Sequence, residues 1–171
     1  MEPTIARSDA LARLAASRAA FAAIAPRVIA GGLWPLAEHF GTEPEASWGP
    51  REVLAHVNEM LPFWLGEYGR ILEADSPAGD PLPFGRVSDD QVRIGVIERD
   101  RRFRLADLFE RIDDGIASWE RHVAATTDEE GARVGLHPRN GEMTADAVRD
   151  RMIVTHLEDH TAQLEEILAR A

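Results

Sequence analysis

The stretch "VTHLEDHTAQLEEI", residues Val154–Ile167, has the pattern of an acidic amphipathic helix and carries two histidines, His156 and His160, one helical turn apart. In an α-helix, residues four positions apart lie on one stripe. Here the same stripe continues with apolar residues on either side: Met152, Leu164 and Leu168. The two imidazoles therefore lie where a helix normally packs against the core. At this spacing, ~5–6 Å on the helix surface, they can converge on one metal ion.

Apolar spacing and helix-end signals predict four helices in the whole chain. They cover residues 8–30, 50–74, 88–125 and 144–169. The segments between them hold most of the proline and glycine, and none alternates in polarity as a strand would. We therefore expect an all-α chain with a single domain over residues 1–171, most simply a four-helix bundle with long connections.

A third histidine, His56, is predicted to face inward from the second helix, in register with the apolar residues Val53, Val57 and Met60. It lies near the start of that helix, whereas His156 and His160 lie in the last two-thirds of the fourth. The three can meet only if the second and fourth helices run antiparallel, which requires the second and third to run parallel. The second helix would be about 36 Å long. A connection of about fourteen residues can span about 45 Å when extended, so the parallel arrangement is sterically open.

The histidines also allow a simpler interpretation. A buried histidine is more often a hydrogen-bonded core residue than a metal ligand, and an HxxxH pair by itself is a weak signal. The three other histidines, His39, His122 and His137, are assigned to such core positions. From spacing alone, both a metal site and a cluster of core histidines remain open.

Carboxylates and aromatic residues near the three histidines are further candidates. Glu59 lies three residues after His56 and could orient an imidazole or act as a general base. Glu158 and Asp159 lie between the two histidines of the fourth helix but point towards its flanks. For all three carboxylates, a position on a solvated face is the competing interpretation. Four aromatic residues could line a pocket mouth or simply belong to the core: Trp34, Trp48, Phe63 and Trp64.

Composition restricts the partners and the chemistry. Thirty acidic and nineteen basic residues give a net charge of −11, which disfavours a nucleic-acid partner. A run of arginines between Arg99 and Arg104 is interrupted by acidic residues and is interpreted as a solvated helix face. No apolar run is long enough to cross a membrane. The chain has no cysteine, which excludes disulfides and cysteine-ligated sites and fits a cytoplasmic protein.

Two segments carry a family resemblance. "SWGPREVLAHVNEMLPFW", residues 47–64, has a tryptophan before a helix start and then "LAH". "HPRNGEMTADAVRDRMIVTHLEDHTAQLEEI", residues 137–167, has "GEMT" before two histidines and "QL". Both resemble motifs of the DinB-like family of metal-binding four-helix bundles. The resemblance implies parallel second and third helices and a metal site formed by His56, His156 and His160.

The resemblance also bears on chemistry, since the family includes thiol-dependent transferases and mycothiol-dependent maleylpyruvate isomerase. Three neutral imidazoles would leave a divalent ion with open positions; zinc is expected first, and nickel, iron or manganese would also accept these ligands. An open position could activate water or hold an external thiol as thiolate. Only the thiol option matches both the family and the lack of cysteine. We therefore expect transfer of a low-molecular-weight thiol to an electrophilic small molecule.

Other functions stay open on the same residues. One is a metal-dependent hydrolase, and another is a non-catalytic, metal-stabilised bundle of stress-response type. A catalytic site would need an open ligand position under an apolar cavity, whereas a structural site would be closed by a fourth protein ligand such as Glu59. The family resemblance also suggests a homodimer.

Overall fold

The computed structural model describes residues 4–37, 47–74 and 80–170. Helices dominate the described chain. In chain order they are α1 (Arg7–Ala30), α2 (Pro50–Glu73), α3 (Gln91–Asp100), α4 (Leu105–Ala125), α5 (Asp128–Gly131), α6 (Ala145–Arg149), a π-helical turn (Asp150–Thr155) and α7 (His156–Arg170). The last three segments follow one another directly and form the predicted fourth helix. The four long helices α1, α2, α4 and α7 enclose the core of a four-helix bundle.

The contacts between α2 and α4 show that these helices run parallel. Near the start of both helices, the Asn58 side-chain amide donates to the Leu108 carbonyl at 3.0 Å. Near the ends, the Tyr68 hydroxyl donates to the Thr126 hydroxyl at 3.0 Å. Since α4 is the main part of the predicted third helix, the predicted parallel arrangement is confirmed.

The first and last long helices, α1 and α7, run parallel to each other. Arg13 pairs with Glu158 at 2.6 Å, and further along both helices Arg27 pairs with Glu165 at 2.7 Å. The first helix is antiparallel to α4, because Arg7 pairs with Asp128 beyond the end of α4 and Arg18 with Asp113 in its middle. It follows that α2 and α7 are antiparallel, as convergence of the three histidines requires.

The predicted third helix is broken, because residues 101–104 separate α3 from α4. No glycine or proline marks the break in the sequence. Instead, Arg101 is buried and pairs with the fully buried Glu52 of α2 at 3.0 Å. The interpretation of residues 99–104 as a solvated face is therefore wrong for Arg101, since a long-range ion pair holds it inside the protein.

A small sheet lies beside the bundle, contrary to the prediction that the chain has no strands. Its strands are β1 (Leu82–Pro83), β2 (Val134–His137) and β3 (Gly141–Thr144). They are ordered β1-β2-β3, with β1 parallel to β2 and β2 antiparallel to β3. The strands have two to four residues each, too few for polarity alternation to be visible. The sheet brings the loops around β1 and the β2–β3 hairpin close to α2.

None of the described helices combines the length and apolar character that crossing a bilayer requires.

Candidate metal centre and adjoining cavity

Three histidines from two helices meet inside the bundle. His56 lies about two turns into α2, His156 is the first residue of α7, and His160 follows one turn later. One ring nitrogen of each lies within 4.8 Å of the others. The structure therefore brings together all three residues that the sequence predicted as ligands.

The spacing fits a shared divalent ion. The Nε2 atoms of His56 and His156 are 3.4 Å apart. Two nitrogens bound to one zinc ion at its usual bond length and tetrahedral angle lie about 3.3 Å apart. No other His, Cys, Asp or Glu in the described ranges joins the cluster. Of the residues described, the three histidines alone thus offer a site with open ligand positions.

Burial favours the neutral form of His56 and His156. His56 and His160 are each 3% exposed. Burial lowers the pKa of His56 well below its usual value, and the neighbouring histidines and arginines lower it further. Burial, followed by the charges of His160 and Arg93, lowers the pKa of His156 to about 3. A neutral imidazole is the form that binds metal, so the pKa values of His56 and His156 favour metal binding at neutral pH.

Neighbouring side chains fix the rings. The Nδ1 atom of His160 lies 2.9 Å from Oε1 of Gln163. Because that oxygen only accepts hydrogen bonds, Nδ1 carries the proton and Nε2 keeps the lone pair for a ligand. The ring of Trp48 contacts His56 edge-on, with centroids 5.5 Å apart. Sequence reasoning did not assign Gln163 a role, although it belongs to the "QL" of the quoted motif.

A cavity of about 210 Å³ opens beside His56 and His156. Trp64 and Met152 form apolar parts of its wall. Four other lining residues are arginines: Arg86, Arg93, Arg139 and Arg151. The cavity is therefore strongly basic and differs from the apolar one expected above a catalytic site.

Glu59, the predicted catalytic carboxylate, lies next to this site but is engaged elsewhere. It is 7% exposed and its carboxylate pairs with Arg86. Burial raises the pKa of Glu59, and the charge and hydrogen bond of Arg86 oppose that rise. Glu59 does not join the histidine cluster, so it does not close the site as a fourth ligand. Its role as a base stays a prediction.

The remaining candidate residues lie on the flanks of α7, next to Arg86 or away from the cavity. Glu158 pairs with Arg13 and Asp159 is exposed, so both lie on the flanks of α7 as predicted. Phe63 lies beneath the Arg86 guanidinium, whose carbon is 3.7 Å from the ring centre. Trp34 takes no part in the cavity; its indole N–H donates to the Val28 carbonyl at 2.8 Å.

The three remaining histidines had been assigned to the core. His39 lies outside the described residues. His122 is exposed, so its core assignment is wrong; it lies on the outer face of α4. His137 is buried as predicted, but it lines the cavity and its ring stacks on Trp64, with centroids 6.0 Å apart. Its place in the sequence, at the end of a strand too short to recognise, gave no signal of this.

The close approach of Gly85 to His137 yields a testable prediction. Gly85 has φ +78°, and a Cβ atom there would lie 2.5 Å from Cδ2 of His137. Gly32 has φ +76° but open space around the same position. We expect Gly32→Ala to cost about 1 kcal/mol of stability from backbone strain alone. Gly85→Ala should cost roughly 1–3 kcal/mol more from overpacking.

Urea unfolding of the two variants measures this difference. Equal losses would show that the His137 ring moves aside without cost and that the glycine is needed only for its backbone angle.

Comparison with known proteins places this geometry in a family. The family model described as the DinB superfamily matches residues 4–164. Among solved structures, YfiT from Bacillus subtilis is similar with a TM-score of 0.76 at 13% identity, covering 99% of this chain and 91% of that one. YfiT is described as a probable metal-dependent hydrolase with an unusual four-helix bundle topology. At this identity the likeness shows the fold alone. No curated protein matches the chain.

Proposed function

The chain belongs to the DinB superfamily, and from this premise we propose that it is a metal-dependent enzyme that transfers a low-molecular-weight thiol to an electrophilic small molecule. The observation that carries the proposal is the convergence of three histidines beside a cavity lined by arginines and no acidic residue among those described. Each part of this arrangement favours an anionic sulfur nucleophile.

His56, His156 and His160 would hold the ion, with zinc the first expectation. Such an ion would supply a Lewis-acidic position at which an external thiol ionises near neutral pH. The chain must take its thiol from outside, because it has no cysteine.

The surrounding residues favour a thiol over water as the nucleophile. A free thiol has a pKa of about 8.5, whereas that of water is about 15.7. Water would therefore gain more from a nearby general base. The nearest candidate, Glu59, is paired with Arg86. Nearby arginines lower a thiol pKa by stabilising the thiolate, and the cavity supplies four of them.

The reaction requires little else from the protein. The S–H bond breaks and a bond forms between sulfur and the electrophilic carbon. In an addition the π bond of the electrophile opens and the proton ends on the adduct; in a substitution the leaving group departs with its electron pair and the proton goes to solvent. Arg93 is held in place to contact developing negative charge, because its Nη1 donates to the Ser88 carbonyl at 2.9 Å. Its Nη2 lies 3.4 Å from Nδ1 of His56.

Hydrolysis is the second candidate, favoured by the description of YfiT as a probable metal-dependent hydrolase. In this alternative, water takes the place of the thiol and Glu59 would act as the base after leaving Arg86. The same three histidines serve both reactions, so they do not distinguish them.

A direct assay separates the two. Protein purified without an affinity tag is loaded with zinc and supplied with several cellular thiols and a chromogenic electrophile. We expect metal-dependent formation of the sulfur–carbon bond, and His156→Ala should lower its rate by at least about a hundredfold. The exposed His122→Ala is the matched control and should leave the rate unchanged.

Two results of the same assay would contradict thiol transfer. Metal-dependent cleavage of an aryl ester, without conjugation of any thiol tested, would reject thiol transfer and support the hydrolase. If the purified protein lacks stoichiometric metal and does not bind added zinc, both the transferase and the hydrolase are rejected.

A further inference from the structure

The cavity beside the histidines concentrates positive charge in a protein with a net charge of −11. Its four arginines come from four separate segments. Arg86 follows β1, Arg93 lies in α3, Arg139 lies in the β2–β3 hairpin and Arg151 lies in the π-helical turn. Among the described lining residues, none is acidic. Four segments thus bring cations to one place without a matching set of carboxylates.

Two of these arginines are fixed by the protein itself. Arg86 pairs with Glu59 and covers the Phe63 ring. Arg93 is 8% exposed and is tied to the Ser88 carbonyl. They form the inner wall, and part of their charge is already compensated.

The other two arginines are differently placed. Arg139 and Arg151 are exposed at the edge of the cavity. Over the ranges that the structure describes, neither guanidinium makes a hydrogen bond or an ion pair. Their charge still acts inside the cavity, since it contributes to lowering the pKa of His137. Two guanidinium groups are therefore available to an anion at the mouth.

His137 places a further polar group on the cavity wall. Its Nδ1 accepts hydrogen bonds from the backbone N–H groups of Arg139 and Asn140, at 3.2 and 3.1 Å. The proton of the neutral ring is therefore on Nε2, which is turned toward the backbone of Arg86. A carboxylate in the cavity would offer this N–H group a charged acceptor, and charge-assisted hydrogen bonds are stronger than neutral ones.

We propose that this cavity binds the electrophilic substrate through a carboxylate, held by Arg139 and Arg151 with His137 as an additional donor, so that the substrate is a small organic acid. Guanidinium groups bind planar carboxylates through paired hydrogen bonds. The cavity volume of about 210 Å³ equals that of roughly seven water molecules at about 30 Å³ each. A metabolite-sized acid fits this space.

This inference rests on the proposed function for the chemistry at the histidines, but binding can be tested without turnover. Succinate is titrated into the metal-free and zinc-loaded protein by calorimetry, with uncharged succinamide and inorganic phosphate as comparison ligands. We expect succinate to bind and succinamide not to bind. Arg139→Gln and Arg151→Gln should each weaken succinate binding about tenfold, the effect of losing a charge-assisted hydrogen bond.

Arg170→Gln is the matched control. It removes the same charge from an exposed position at the far end of α7, so it should leave succinate affinity unchanged. All three side chains are exposed, so folding should not be affected.

Three outcomes would overturn the inference. They are no succinate binding to either form of the protein, an equal loss of affinity in Arg170→Gln, and phosphate binding as tight as succinate with the same losses. Zinc affinity measured on the same samples keeps the two proposals apart. A protein that binds succinate but not zinc would reject the metal enzyme and leave the anion site. A protein that binds zinc but not succinate would reject only the anion site.

Discussion

His160→Ala is expected to lower zinc affinity by at least about a hundredfold while leaving the bundle folded. Removing a partner that only orients a ligand typically costs 10–100-fold in metal affinity, so removing a ligand itself costs at least the upper end of that range. His160 is buried and its Nδ1 is already committed to Gln163, which leaves Nε2 for the ion. Competition with a chromogenic chelator measures the affinity, and elemental analysis measures the stoichiometry.

Thermal unfolding of the metal-free proteins completes this experiment. The core of α7 is formed by Leu157 and Leu164, so the metal-free variant should melt within a few degrees of the metal-free wild type. His122→Ala, on an exposed face, should change neither quantity. Unchanged zinc affinity in His160→Ala would contradict the site. Collapse of the wild-type fold on removing zinc would show that the ion is structural.

Lowering the pH from 7 to 5 should reduce the stability of the metal-free protein, by about 2 kcal/mol through His156 alone and in the same direction through His56. Both have a folded-state pKa far below the unfolded value of about 6.5. Between those values the unfolded chain binds more protons than the folded one, so stability falls as the pH falls. The pKa of about 3 for His156 gives its share of about 2 kcal/mol over this interval.

Urea unfolding at the two pH values tests the effect, and His156→Asn should reduce the difference by about 2 kcal/mol. Glu59 acts in the opposite direction, because its raised pKa makes the folded state take up a proton first. The comparison between wild type and His156→Asn cancels this contribution. Equal stability at pH 5 and 7, or an unchanged difference in His156→Asn, would show that these imidazoles are already solvated or charged in the folded protein.

The sequence predicted those features of the fold that depend on a single local pattern or on a single geometric condition. The long helices follow from apolar periodicity, because each buries one stripe against the others. The parallel arrangement of α2 and α4 was a condition for His56 to reach His156, because the connection between the second and third helices must then cross the bundle, and the family resemblance implied the same arrangement. The structure shows that arrangement and that proximity.

Features that depend on distant contacts could not be predicted. The break before α4 depends on the pairing of Arg101 with Glu52, which are 49 residues apart. The local sequence around the break remains compatible with a continuous helix. The strands β1 and β2 stabilise each other by pairing and are too short to show a pattern alone.

The basic cavity was missed for the same reason. Arg86, Arg93, Arg139 and Arg151 belong to four segments that no local pattern connects. Singly, each arginine resembles a surface residue of an acidic protein. Only the fold reveals that they surround one space, and that His137 belongs with them rather than with the core.

The π-helical turn has a consequence for how related proteins can diverge in evolution. A π-turn closes its hydrogen bond over five residues instead of four, so Arg151 and His156, five apart, both reach the cavity. Deleting one codon between them would restore a regular helix and rotate Arg151 away by about 100°. His156 and His160 would keep their positions on α7. A relative that differs by this single deletion would therefore keep the three histidines together and lose Arg151 from the cavity, so that its metal affinity and its selectivity for anions could diverge in one genetic step.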